Sequence, residues 1–325
     1  MHTKENGKSD LSFLEASIKW IALNEGEWKY STLARYRGLL DLHIIPIIGE
    51  VSVSEINNNT ILELTHRLIS GEIKNHRLSK KTVSMALSVI KSILDFSEEF
   101  LDEKIQHIRF IKFRDDQKPL RVLSVKEQDY LTRMLLSDFD RKNAGILLAL
   151  YTGIRIGELC ALKWKNISLK DRVIIIDSSM QRVQIKEGNT KTKVIVSSPK
   201  SSSSFRRIPL PASLCSILSA LRGESEAYFL TGSPDTYVEP RSMENRFKTI
   251  CQKADIANAS FHCLRHTFAT RCIELRFDVK TLSEVLGHSS VGMTMNRYVH
   301  PSFEHKRKSM NLVGNMLKKY SESNA

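Results

Sequence analysis

Two histidines and two arginines fall within ten residues of one expected helix, "HCLRHTFATR" at positions 262–271. On a helix beginning at Ser260, the side chains of Phe261, Leu264, Phe268, Cys272 and Leu275 form an apolar stripe that faces a core. His262, Arg265 and His266 stand three and four positions apart, so they share the other side, read here as an exposed face. A further arginine, Arg155, lies in "TGIRIGELCALKW". There Thr152-Gly153 interrupts one helix and Arg155 opens the next, where unpaired backbone N–H groups and the helix dipole favour an anion. Two guanidiniums from distant segments, each presenting a two-pronged fork of donors, suit a phosphate. Beyond them, "LGHSSVGMTMNRYVH" carries His288 and Tyr298. This concentration of cation beside a phenol points to a polyanionic partner.

The charge balance agrees. The 325-residue chain carries a formal net charge of +13. Residues 1–115 hold 16 Lys and Arg against 16 Asp and Glu, whereas residues 116–325 hold 33 against 20, so the second part carries the whole excess. A basic excess of this size favours nucleic acid. Hydrophobic residues make up 41% and charged residues 26%, an ordinary globular composition with material for two domains. No apolar run approaches the roughly 20 residues of a membrane span. The start "MHTKENGKSD" has no apolar core of a secretory signal, and five scattered cysteines (160, 215, 251, 263 and 272) form no CxxC pair. A cytoplasmic protein is expected. Cys263, His266 and Cys272 lack the spacing of a zinc site, so no metal is expected.

These residues need a scaffold. Residues 11–110 read as helical, and "LSFLEASIKWIAL" spaces Leu11, Leu14, Ile18 and Ile21 along one side, with Ser12 or Asp10 as cap. "YSTLARYRGLLDLHIIPIIG" lines up Leu33, Tyr36, Leu40 and Ile44 before Pro46 and Gly49 end it. "SEINNNTILELTHRLIS" and "LSKKTVSMALSVIKSILDFSEEF" supply two more helices, the second capped by Ser79, for a bundle-like domain. Lys74, His76, Arg77, Lys80 and Lys81 cluster at one helix entrance, with Glu98, Glu99, Asp102 and Glu103 at the far end, which makes the basic end the candidate phosphate-facing side. "IRFIKFRDDQKP" (108–119) reads as the inter-domain tract, with 113–119 the linker between a first domain at 10–112 and a second at 120–325. The second domain opens with helices at 124–137, capped by Ser124, and 142–151. The β-branched runs "RVIIID", "RVQIK", "KVIVSS" and "FRRIPL" predict a small antiparallel sheet over about 172–210. Helices resume at 211–222, 241–256, 260–275, 279–286, 290–299 and 303–320. The fold class is mainly α with a small antiparallel β-sheet: an N-terminal helical bundle followed by an α+β domain.

In order and spacing, Arg155 of "TGIRIGEL", His262 and Arg265 of "HCLRH", His288 of "LGHSS" and Tyr298 of "MNRYVH" resemble the Arg…His-x-x-Arg…His…Tyr set of the tyrosine recombinases, the phage integrase family. The first half resembles that family's SAM-like core-binding domain, notably over "STLARYRGLLDLHIIPIIG" and "LSKKTVSMALSVIKSIL". The resemblance covers about 10–320 and implies strand cleavage and joining in DNA by type IB topoisomerase-like chemistry. Tyr298 is then the nucleophile, forming a 3′-phosphotyrosyl link and freeing a 5′-hydroxyl, and a second DNA's hydroxyl reverses the step. Ionising an ordinary phenol at neutral pH costs about 4 kcal/mol, and the attack adds charge to a diester that is already negative. Guanidiniums and histidine donors offset both terms, at roughly 3–4 kcal/mol for one preorganised donor. The link conserves the energy of the broken bond, so no cofactor is expected.

The family's general acid is a lysine on a β-hairpin, best matched by Lys200 in "SSPKSSSSFRRIPL", with Lys191 and Lys193 as neighbouring alternatives. A lysine beside cations can release a proton that arginine holds. Glu158 resembles the family's supporting acid, with a plain ion pair to Arg155 as the other reading. His266 is expected to hydrogen-bond within the fold, and Gly287 to cap a helix and aim His288 at the phosphate. Lys74, Arg77, Lys80 and Lys81 are the expected DNA contacts of the first domain.

The implied partners are double-stranded DNA, further copies in a tetramer on that DNA, and an accessory directionality protein. The tail helix "SFEHKRKSMNLVGNMLKKYSESNA" would join the copies through Met310, Val313, Met316 or Leu317, and Tyr320, although docking on its own chain would bury the same stripe. Longer members of the family often carry an additional N-terminal arm-binding domain; with about ten residues before the first helix, this chain is expected to bind core sites alone, or to draw accessory contacts from elsewhere. The leading function is integration or excision of a bacterial mobile element. A Xer-like chromosome or plasmid resolution enzyme shares these residues, as does a type IB topoisomerase, which the two-domain layout disfavours. A non-catalytic DNA-binding protein of the same fold has no need of the full set, and no member is missing.

Overall fold

The computed structural model describes residues 10–71, 77–113, 120–184, 192–198 and 205–298, together with 307, 310, 311, 313 and 314. The chain divides into two compact units, Met1–Lys118 with Val183–Lys193, and Pro119–Arg182 with Val194–Ala325. In the first, α1 (Phe13–Asn24) starts on a reciprocal cap: the Ser12 hydroxyl accepts from the Glu15 amide at 3.2 Å, and the Glu15 carboxylate accepts from the Ser12 amide at 3.0 Å. The buried side of α1 is Phe13, Ala16, Ser17 and Trp20, and Ile18 of the expected stripe is 60% exposed. The aromatic residues take the core: Trp20 packs with Trp28 and Tyr36 at ring separations of 4.6 and 5.7 Å, burying more area than the smaller aliphatics would.

The stripe on α2 (Tyr30–Leu39) is as expected, with Leu33 and Leu40 buried and Tyr36 half-buried. Pro46 does not stop the chain there. A π-helical turn (Leu40–Ile44) leads into α3 (Ile45–Ile48), whose first turn holds the proline where its missing N–H is harmless. α4 (Asn58–Ser70), capped by Asn57, and α5 (Lys80–Leu101), capped by Ser79, complete the bundle. Ile61, Leu64, Val83, Ile90 and Ile93 are among its fully buried residues, each worth roughly 1.5–3 kcal/mol of burial. Ile108, Phe110 and Phe113 also pack against this core, so the first half of the expected inter-domain tract belongs to the bundle. Residues 114–119 of the expected linker lie outside the described residues, as do Lys74 and His76.

After the bundle the chain forms α6 (Val125–Ser137), α7 (Arg141–Thr152), α8 (Ile156–Ala161), a tight turn (Trp164–Asn166), β1 (Ile167–Ser168), β2 (Val173–Ile176), β3 (Ser179–Gln184), β4 (Thr192–Ser197), β5 (Arg206–Pro209), α9 (Ala212–Ser219), α10 (Pro240–Lys253), α11 (Phe261–Glu274), α12 (Val279–Leu286) and α13 (Val291–Tyr298), all in the second unit except the end of β3 from Val183 and the start of β4 to Lys193. The single expected sheet is two. β1, β2 and β5 form one, antiparallel, with Ile174 opposite Ile208 and Ile176 opposite Arg206; β3 and β4 form the other. Alternation along β2 and β5 sends Ile174, Ile176, Arg206 and Ile208 inward.

Packing of α11 against α7, α10, α12 and α13 makes it the hub of this unit. Its expected exposed face is therefore buried: Arg265 is 3% and His266 6% exposed, and only His262 of the three reaches solvent. Leu275, expected on the core stripe, falls past the helix end and is 72% exposed. Among the described residues no helix is long and apolar enough to cross a membrane. Of the expected tail stripe, Met310 and Val313 are exposed, whereas Met316, Leu317 and Tyr320 lie outside the described residues.

Candidate active site

Two glycine-capped helix ends meet over α11. α7 closes on Gly153 (φ 67) and α12 on Gly287 (φ 65), both in the left-handed region that glycine adopts without strain. A Cβ at Gly153 would lie 2.6 Å from Phe268 Cδ1 and 2.9 Å from Leu286 Cδ2, so the close approach itself requires glycine. At the end of α12, three successive carbonyls each accept from a different arginine. Val285 accepts from Arg206 Nε at 2.7 Å, Leu286 from Arg265 at 2.7 Å and Gly287 from Arg155 at 2.9 Å. Carbonyls that a helix end leaves unpaired, and the negative end of its dipole, thereby collect three guanidiniums. The other arm of Arg265 donates to the Gly153 carbonyl at 2.8 Å, tying the two helix ends together.

One carboxylate stands among these cations. Glu158 is buried and accepts from Arg206 at 2.9 and 2.7 Å and from Arg155 at 2.7 Å. It also accepts from the backbone N–H of Arg155, so the start of α8 is already capped by a carboxylate, and Arg155 offers an anion its guanidinium rather than a free backbone end. Burial alone would raise the Glu158 pKa, but the hydrogen bonds and charge of Arg206, then those of Arg155, outweigh it and hold the group at about 2. Arg265 is weakened in the opposite sense. Burial, then repulsion from Arg155 and Arg206, brings it down to about 9 despite Glu158. Three guanidiniums against one carboxylate leave a positive excess, buried at Arg206 and Arg265 and open to solvent at Arg155.

The phenol sits beside this cluster. Tyr298, 8% exposed at the end of α13, places its hydroxyl 2.8 Å from His266 Nδ1. Its ring lies parallel to that of His288, 2° apart in plane with centroids 6.4 Å apart. The residue order Gly287-His288 fixes that imidazole at the helix end, and its Nδ1 is 2.7 Å from the Thr294 hydroxyl. The His262 ring meets His266 edge-on at 4.5 Å. Burial pulls His266 down to about 4, helped by His262, Arg297 and Arg265; burial does the same for His288, helped by Arg265, Arg155, Arg297 and Arg206. His262, on the rim, is also depressed, by the covered part of its ring and then by Arg265, Arg297 and Arg155. Burial raises the Tyr298 phenol against the pull of Arg265, Arg297 and Arg155. At neutral pH the imidazoles are uncharged and can act as both donors and acceptors.

Seven of the expected site residues thus converge within the second unit: Arg155, Glu158, His262, Arg265, His266, His288 and Tyr298. Lys200 and its alternative Lys191 lie outside the described residues, and Lys193 is exposed on β4. Arg77, Lys80 and Lys81 are exposed in the first unit, and Lys74 lies outside the described residues. Sequence reasoning missed Arg206, Arg297 and Thr294. The alternation in "FRRIPL" could have found Arg206, because an arginine on the inward face of a strand demands a buried partner. Arg297 and Thr294 carry no such signal.

The arrangement can hold an anion, donate to it from guanidinium and imidazole, and present a phenol to it. Comparisons with known proteins bear on the family and the fold. The phage integrase family model matches residues 131–305, and the model of the phage integrase N-terminal SAM-like domain matches residues 12–69. The tyrosine recombinase XerC-like protein of Caldanaerobacter subterraneus subsp. tengcongensis is 32% identical over 49% of this chain and 46% of its own length. The match thus spans about half of that relative. The ICEBs1 integrase of Bacillus subtilis is 26% identical over 77% of this chain and 70% of its own. In fold, the chain is similar to the Tn1549 transposon integrase solved in complex with transposon right end DNA, at a TM-score of 0.75 and 21% identity over 94% of this chain and all of that one. With its model matched over more than half of the residues, the chain belongs to the phage integrase family.

Proposed function

We propose that this protein is a site-specific DNA recombinase that cleaves and rejoins strands through a 3′-phosphotyrosyl link on Tyr298, in the integration or excision of a bacterial mobile element. The observation that carries this reading is the set of three arginines on successive carbonyls around one carboxylate, with the Tyr298 phenol and neutral imidazoles alongside. In this reading Arg155 and Arg265 hold the non-bridging oxygens of a scissile phosphodiester, and His288 and His262 donate to it. Tyr298 Oη bonds to phosphorus as the bond to the 5′-oxygen breaks, and Lys200 supplies the proton that oxygen takes. Glu158 and Arg206 keep Arg155 in place. Lys74, Arg77, Lys80 and Lys81 contact backbone phosphates, and copies assemble as a tetramer on duplex DNA through their tail helices. Support for the mobile-element role comes from the likeness to the ICEBs1 integrase, which runs over 77% of the chain.

The test uses nicked suicide duplexes tiled across the DNA flanking the coding sequence. Wild type should leave an SDS-resistant covalent adduct on one of them, and Tyr298→Phe none. DNA affinity should survive that substitution and fall with added salt, since phosphate contacts dominate it. Adduct formed by the Phe variant would remove Tyr298 as nucleophile.

A further inference from the structure

A phenol must lose its proton to become the nucleophile, and the set of residues recognised by family resemblance leaves open where that proton goes. Among the described residues of the second unit, one group hydrogen-bonds the Tyr298 oxygen: His266 Nδ1, at 2.8 Å, buried and angled at 50° to the phenol ring. His262, whose position in the HxxR motif gave it prominence, lies edge-on behind His266, its ring centroid 4.5 Å away. Resting on the reading proposed above, we infer that His266 is the proton acceptor for Tyr298: as Tyr298 Oη bonds to phosphorus, its proton passes to His266 Nδ1, and it returns when the phosphotyrosyl bond is broken.

The geometry defines the tautomer. For Nδ1 to accept from the phenol, a neutral His266 carries its proton on Nε2. Depression of His266 to about 4 keeps Nδ1 free at neutral pH. The same depression makes His266 a weak acceptor toward a phenol that burial has raised, so the free protein does not form a phenolate. The groups acting on His266 are His262 and Arg265 on its own helix and Arg297 and Tyr298 on α13, cations or neutral groups throughout. A phosphodiester entering beside Arg265 brings the missing negative charge, raises His266, and draws the phenol oxygen into a bond. Proton transfer is then tied to substrate, and cleavage without DNA is suppressed.

His266→Asn is the decisive variant, because the Asn amide oxygen can stand near Nδ1 and accept the same hydrogen bond but cannot take the proton. On the duplex that wild type cleaves, His266→Asn should keep DNA binding and its melting temperature while losing roughly 100-fold in the rate of adduct formation at neutral pH. Its rate should climb with pH as solvent hydroxide takes over, and added imidazole should restore His266→Ala. Cleavage by His266→Asn within a few-fold of wild type would overturn the inference. So would a loss that neither rising pH nor imidazole repairs, which would leave His266 a positioning residue. Failure of wild type itself to form adduct would instead strike the underlying reading.

Discussion

Arg155 and Arg265, from segments far apart in the chain, end on adjacent carbonyls of one helix terminus, Gly287 at 2.9 Å and Leu286 at 2.7 Å. Each guanidinium uses part of its donor set to fix its position, and the partial negative charge of the helix end offsets their mutual repulsion. Such anchoring preorganises the remaining N–H groups before substrate arrives. Arg265→Ala should therefore lower the single-turnover cleavage rate by roughly 10²–10³. Arg265→Lys should recover little, because an ammonium cannot bridge the Leu286 and Gly153 carbonyls and face an anion as well. Near-normal cleavage by Arg265→Ala would exclude this side chain from phosphate contact.

Glu158 is the counterweight for that cluster, with side-chain exposure of 6% against 5% for Arg206. Removing one partner of a buried ion pair strands the other without compensation, at a cost of about 3–5 kcal/mol. Glu158→Ala leaves three crowded guanidiniums and should show that loss in urea unfolding. Duplex DNA should return part of it by supplying an anion. A Glu158→Ala variant as stable as wild type would mean that solvent already screens these charges.

Acid should act in two stages. His266 and His288 titrate near 4 in the fold but near about 6.5 in the unfolded chain. Between those values the unfolded state binds more protons, so stability is full above pH ~6.5 and falls as pH drops toward 4. Glu158 adds a second limb: held at about 2 in the fold and near ~4.3 when unfolded, it stabilises above ~4.3 and loses that contribution as pH falls toward 2. Melting temperatures across this range should show both declines, and His288→Asn should shallow the upper one. A flat profile between pH 6.5 and 4 would show that the histidines are not held neutral.

Gly153 joins the helix ends, and its backbone and its neighbours both resist a side chain. Left-handed φ costs an alanine about 1–2 kcal/mol, and crowding against Phe268 and Leu286 adds roughly 1–3 kcal/mol. Gly153→Ala should destabilise by a few kcal/mol and also slow cleavage, since the Gly153 carbonyl anchors Arg265. Stability lost without any change in cleavage would mean that the Arg265 anchor tolerates the shift.

Local rules carried much of this. Ser12, Ser79 and Ser124 are caps because a hydroxyl before a periodic run satisfies otherwise unpaired N–H groups, and Gly287 caps α12 for the mirrored reason. Periodicity misjudged α1, where the side carrying Phe13 and Trp20 rather than Ile18 takes the core, and α11, where the side opposite the apolar stripe was assumed to meet solvent. A stripe on α11 marks one buried side without making the other side exposed. A hub helix packed on several sides hides its charged residues, so Arg265 and His266 looked superficial in sequence. Arg206 and the His266–Tyr298 contact depend on tertiary placement: no spacing links a strand residue to the carbonyls of α12, or one histidine of "HCLRH" rather than the other to the phenol.

Lys200 is the remaining proton donor in this scheme. The 5′-oxygen leaves as an alkoxide unless protonated, and general acid catalysis of such a step contributes roughly 10²–10⁴-fold. Lys200→Ala should therefore slow cleavage strongly on an ordinary duplex. It should have little effect where sulfur replaces the bridging 5′-oxygen, because a thiolate leaves without a proton. Lys193→Ala should behave as wild type on both substrates. If the sulfur substrate fails to rescue Lys200→Ala, while Lys191→Ala or Lys193→Ala shows the rescue instead, the acid role moves to that neighbour.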